Sequence, residues 1–179
     1  MGHTLVAVFA EGSSRKLREL LKEAGTEDAC KIPFGRGCDR VTTDRVLKHH
    51  ITLYNWAKEE DDVYLKRLRS LQSIPPCRII AIKPVIKDGK SESHLVCLEV
   101  VASKEFSKMS LIVGQLLKKT PNKDLHITLD ATKDASRAKH LYECLRNMKC
   151  FPLELNISGL ELYEIWRPTK LVKNYPISR

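Results

Sequence analysis

Two short segments of the chain alternate polar and apolar positions in the same way. KHHITLYNW at 48–56 and LHITLDAT at 125–132 both write His-Ile-Thr-Leu, 76 positions apart. Alternation with period two is the pattern of a strand with one buried face. Ile51 and Leu53 then point one way and His50 and Thr52 the other, and Ile127 and Leu129 likewise oppose His126 and Thr128. The apolar run TLVAVFA at 4–10 predicts a buried strand. An amphipathic helix follows over 13–24, with Ser13 or Ser14 as N-cap and Gly25 as the C′ stop. Further on, the pattern predicts a helix over 61–72 and a strand over 77–87. A turn at Asp88-Gly89-Lys90 then leads to a strand over 93–101 and a helix over 104–119. After the second His-Ile-Thr-Leu strand come a helix over 134–148 starting at Asp134 and a strand or bent strand pair over 151–165, interrupted at Ser158-Gly159. The tail from 166 to 179 is basic and reads as irregular.

The order in each half is strand, helix, His-Ile-Thr-Leu strand, helix, strand. From the motif histidine to the next strand is 27 residues in the first half and 25 in the second, which is the mark of an internal duplication. The first half carries about 15 more residues ahead of its motif. The expected architecture is one α+β domain over 1–179. Its two pseudo-symmetric antiparallel-sheet lobes, about 1–90 and 91–165, carry helices on their outer faces.

Composition narrows the class. At 179 residues with 42% hydrophobic and 30% charged positions, the chain has enough apolar side chains for a core. No apolar run approaches the ~20 residues of a membrane span, and the N-terminal segment lacks the pattern of a signal peptide. Six cysteines, at 30, 38, 77, 97, 144 and 150, form no C-x-x-C pair; free thiols and a cytoplasmic location are expected. The net charge of +9 favours a polyanionic partner.

One H-x-[ST]-x match is weak evidence, since chance supplies such matches. Two at equivalent positions of a repeat carry more. If the halves are related by a two-fold, two imidazoles and two hydroxyls converge. One neutral and one protonated imidazole supply a general base and a general acid near neutral pH, and the threonine hydroxyls donate to phosphate oxygens. The paired motifs and the doubled element order resemble the two-histidine (2H) phosphoesterase superfamily, which includes the 2′-5′ RNA ligase-like proteins and cyclic phosphodiesterases. The resemblance runs from the first strand to about Tyr163. It implies a bilobal fold with a central groove and metal-independent chemistry on 2′,3′-cyclic phosphates or 2′-5′ linkages. By that resemblance His50, Thr52, His126 and Thr128 match the catalytic positions, and which histidine is acid and which base stays open.

Further groove residues are expected. Tyr54 shares the strand face of His50 by alternation. Phe34, Arg36 and Arg40 lie in the insertion KIPFGRGCDR, where cations beside an aromatic suit phosphate contact and base stacking. Lys133 stands after the second motif, where ligase-like relatives have an arginine, and is a substitute phosphate contact. His49 reads as a packing residue. Expected partners are RNA ends, oligonucleotides or cyclic-phosphate nucleotides, bound by a monomer away from membranes. No P-loop, G-x-G-x-x-G or metal-ligand spacing is present, so no cofactor is expected. A nucleotide-binding module of the same fold without turnover is the alternative. An RRM-like protein would need an aromatic RNP motif, which is missing.

Overall fold

In the computed structural model, residues 2–26, 49–57, 60–89, 92–165 and 170–178 are described. Their elements are β1 (Gly2–Phe9), α1 (Glu11–Glu23), β2 (His50–Ala57), α2 (Asp61–Leu68), β3 (Arg78–Asp88) and β4 (His94–Ala102). These are followed by α3 (Lys104–Leu117), β5 (His126–Thr132), α4 (Ala135–Arg146), β6 (Leu153–Ile165) and β7 (Lys170–Pro176). This is an α+β fold. None of these helices is long and apolar enough to cross a membrane.

Local chemistry sets the helix ends. Gly25 has φ 73°, its N–H meets Lys22 O, and the Thr26 N–H meets Leu21 O, so α1 closes in a Schellman motif as expected. Its start differs from expectation. The helix begins at Glu11 behind Ala10, and Ser13 and Ser14 are buried in its first turn. They stitch the helix to the sheet instead of capping it: Ser14 Oγ donates to Phe9 O at 3.4 Å, and Ser13 Oγ accepts the Asn156 N–H at 2.8 Å. Ser103 caps α3 through the Phe106 N–H at 3.1 Å. Asp134 caps α4, accepting from Ser136 N and Arg137 N at 2.9 and 3.1 Å. α2 stops at Leu68, short of the expected 72. Pro75 disfavours the helical region for Ile74, which instead bridges to Ile177.

The pairings close a ring. β1 pairs β2, β2 pairs β5, β5 pairs β4, β4 pairs β3, β3 pairs β6, and β6 returns to β1, all antiparallel. β7 adds to the outer edge of β6, so the tail is a strand and not irregular. Its lysines and Pro176 are tolerated because an edge strand needs only one side of its ladder. Buried Tyr175 ties it to the core.

The two halves touch through equivalent strands at two places. Ile51 pairs Ile127, and Ile79 pairs Leu155. Both pairs are 76 residues apart, the spacing of the motifs, so a pseudo-two-fold maps each pair onto itself. β3 of the first half lies beside β4 of the second, and β6 of the second half beside β1 of the first. Each half thus lends its last strand to the other.

The four described helices pack on one face of the ring. Leu17 and Leu21 of α1, Tyr64 and Leu68 of α2, Phe106 and Met109 of α3, and Leu141 and Leu145 of α4 share one core with Ile51, Ile79, Leu98, Ile127 and Leu155. The other face of the sheet is the inner one. His49 faces the helices, where it is buried with no hydrogen-bond partner for Nε2 among the described residues. Burial, then the charge of His50 and of Arg18 on α1, lower its pKa to about 4.

Two outcomes follow from these contacts. Asp134→Ala removes a cap accepting two N–H groups and is expected to cost about 1 kcal/mol in denaturant unfolding. An unchanged midpoint would mean the α4 start is held by other contacts. His49 titrates near 6.5 when unfolded and resists protonation when folded, so the unfolded state binds more protons between pH 6.5 and about 4. Stability is therefore lost as pH falls below about 6.5. Relative to His49→Leu, the wild type is expected to lose about 2 kcal/mol between pH 7 and pH 5. Unfolding curves that run parallel for the two proteins would contradict the depressed pKa.

Candidate active site

The site is built where β2 meets β5. Among the described residues, only Ile51 and Ile127 bridge these strands. In antiparallel register, the step to either side sets His50 across from Thr128 and Thr52 across from His126. Ile51 and Ile127 are fully buried on the helix side. The alternate residues therefore face inward: His50 is buried, and Thr52, His126 and Thr128 are half-buried. The four motif residues thus share one face, each one step along its strand from the bridge.

Both motif strands carry the same irregularity. Leu5 pairs Tyr54 and Val6 pairs Thr52, so Leu53 is the extra residue of a bulge. Val96 pairs Asp130 and Cys97 pairs Thr128, so Leu129 is extra in the same way. A bulge reverses which face the following residues take. Tyr54 is therefore not on the groove face as alternation predicts. It is 3% exposed in the core, and its hydroxyl donates to Ser110 O of α3 at 2.8 Å. Asp130 turns outward in the same manner and accepts from Arg137 Nε of α4 at 3.0 Å. In β2 the bulge also leaves the Leu53 carbonyl available, and the Asn122 N–H of the loop before β5 reaches it at 3.4 Å.

The floor beneath the motifs comes from β1 and β4. Val8 pairs His50 and Val6 pairs Thr52, while Glu99 pairs His126 and Cys97 pairs Thr128. Cys97 Sγ lies 3.7 Å from Thr128 Oγ1. Burial pushes its thiol up to about 11, so it stays protonated as a weak donor.

His126 is oriented from its own chain. Its Nδ1 donates to the Asp124 carbonyl at 3.0 Å, which leaves Nε2 as the nitrogen for the groove. The Asp124 carboxylate stands 3.8 Å from the same Nδ1 and is ion-paired with Lys87 of β3. That pairing, ahead of the other influences, holds the Asp124 carboxyl below its ordinary range. Asn122 Oδ1 accepts the Asp124 N–H at 3.1 Å and stiffens the turn. Sequence reading missed Asp124, Lys87 and Cys97. Asp124 was open to discovery, since it stands two residues before His126 in the run-up to the motif.

Lys133 is exposed in the turn between β5 and α4. Phe34, Arg36 and Arg40 lie outside the described residues.

No family model and no curated protein matches the sequence. Solved structures do match it along nearly the whole chain. TT0787 of Thermus thermophilus aligns with TM-score 0.57 at 14% identity, covering 99% of this chain and 98% of that one. Kluyveromyces marxianus Usb1 aligns with TM-score 0.54 at 10% identity, covering 98% and 97%. E. coli LigT complexed with phosphate aligns with TM-score 0.53 at 11% identity, covering 99% and 98%. LigT has also been solved with 3′-AMP, and K. marxianus Usb1 with uridine monophosphate. A further match, with TM-score 0.53 at 13% identity over 99% of this chain and 98% of that one, is described as a phosphoesterase. At such identities the likeness speaks for the backbone, and on that ground, together with the two strands joined at Ile51 and Ile127, the chain has the two-histidine phosphoesterase fold.

Proposed function

We propose that the chain is a metal-independent phosphodiesterase that opens 2′,3′-cyclic phosphates or 2′-5′ phosphodiester bonds of RNA or nucleotides. The observation that carries this reading is the β2–β5 bridge between Ile51 and Ile127, each flanked by its motif's histidine and threonine. A phosphate seated over that bridge has an imidazole on either side. One takes the proton of the attacking water and the other gives a proton to the leaving oxygen, which is in-line acid–base catalysis without a covalent intermediate. Thr52 and Thr128 donate to the non-bridging oxygens as charge shifts onto them. For His126 the working atom is Nε2, because Nδ1 is spent on Asp124. The phosphate, 3′-AMP and uridine monophosphate complexes of LigT and Usb1 support a phosphate-bearing ligand here. The net charge of +9 supports a polyanionic one. Imidazoles supply both proton transfers, so the reaction needs no divalent ion.

The test is hydrolysis of a 2′,3′-cyclic nucleotide and of a 2′-5′-linked dinucleotide in chelator. The wild type is expected to turn over at least one. His50→Ala and His126→Ala are each expected to lose roughly 10²-fold or more. Loss of wild-type turnover in chelator would overturn metal independence. A wild type inert on both substrates that still retains a nucleotide would make the chain a binding module.

A further inference from the structure

Lys87 does something its register does not require. It lies on the inner face of β3, where it pairs Leu95 while Val85 pairs Cys97. His126 lies in another row, with Glu99. Yet the Lys87 ammonium meets the carboxylate of Asp124, two residues before His126. The two side chains meet although β4 lies between β3 and β5 in the sheet. The Lys87 charge is felt on that floor. Cys97 is completely buried beside Thr128. Against the larger effect of burial, Lys87 draws the Cys97 thiol down and Asp124 pushes it up. Asp124 Oδ2 is 3.8 Å from His126 Nδ1. An ammonium therefore stands one carboxylate's width from a motif histidine.

The equivalent position on β6 holds no cation. The offset of 76 carries Lys87 to Tyr163, whose hydroxyl bonds Glu161, and carries the neighbouring Lys83 to Gly159. Nor does stability explain it. Side-chain exposures of 26% for Lys87 and 69% for Asp124 mark a pair whose contribution to folding is small. A lysine ammonium has three donors on a flexible stem, and one carboxylate does not occupy them all.

Resting on the phosphodiesterase reading of the same groove, we propose that Lys87 binds a non-bridging oxygen of the substrate phosphate and that Asp124 holds the ammonium beside His126 until the substrate arrives. The ligand class is a phosphate mono- or diester. Asp124 acts here as a positioning residue, and its carboxylate competes with the incoming anion for the same donors.

The two partners therefore shift anion binding in opposite directions. Inorganic phosphate and 3′-AMP are titrated calorimetrically at fixed ionic strength, which needs no turnover. Lys87→Met is expected to weaken both by about tenfold or more, as loss of a charged hydrogen bond does, and Lys87→Arg to restore much of the binding. Asp124→Asn is expected to tighten both probes. The double variant is expected to follow Lys87→Met. In turnover, Lys87→Met raises KM more than it lowers kcat. If Lys87→Met binds both probes like the wild type, or if the wild type binds neither, the assignment fails. It also fails if both single variants weaken binding alike, since the pair then only steadies the His126 turn. A wild type that binds phosphate through Lys87 but hydrolyses nothing sinks the enzymatic reading alone. Hydrolysis with an unaltered KM in Lys87→Met sinks the lysine alone.

Discussion

The site depends on one backbone contact, the pairing of Ile51 with Ile127. Because this is a single bridge, β2 and β5 meet at a point instead of zipping along their length. Their other edges are secured elsewhere, β2 along β1 and β5 along β4. A longer ladder would close the space above the motifs, and no ladder would let them drift apart. The second self-mapped contact, Ile79 with Leu155, ties the halves together at the far side of the ring. Exchange of β3 and β6 between the halves makes that tie part of the sheet itself. The spacing of the motif residues is thus set by backbone hydrogen bonds on both sides.

The bulges at Leu53 and Leu129 solve a packing problem that the motif creates. A strand in strict alternation would carry the residue two after Thr52 onto the inner face as well. The bulge returns Tyr54 and Asp130 to the helix side, where one reaches α3 and the other α4. The motif strands therefore show just His and Thr before turning their next side chain to the core. Gly114 of α3 follows from the same arrangement, since a Cβ there would lie 2.7 Å from the Tyr54 hydroxyl.

The strand and helix types, and the buried side of each motif strand, were legible in the sequence because each depends on local periodicity. Ile51 and Ile127 declare that buried side. What failed depended on partners distant in the chain. Tyr54 was misplaced because a bulge is a mismatch between two strands, and β1 lies some 45 residues earlier in the numbering. β7 was missed because its lysines and Pro176 look irregular until β6 supplies a ladder. Ser13 and Ser14 looked like caps, yet the Phe9 carbonyl and the Asn156 N–H claim their hydroxyls. Lys87 was invisible as a site residue because nothing local says that a β3 side chain crosses to Asp124.

Duplication gives two equal motifs, but a phosphodiester is not symmetric. One of its oxygens leaves and another stays. Whatever fixes its direction must lie where the halves differ, and His50, Thr52, His126 and Thr128 are where they agree. The walls are where they differ. Beside His50 the inner face offers Val8 and then Gly159. Beside His126 it offers Glu99 paired to Lys83, with Lys87 on Asp124 close by. On the proposed reading, the charged part of the substrate lies against the wall that carries Lys83, Lys87 and Asp124. The division of labour between the two histidines then follows from how the walls turn the substrate, not from any difference in the motifs themselves.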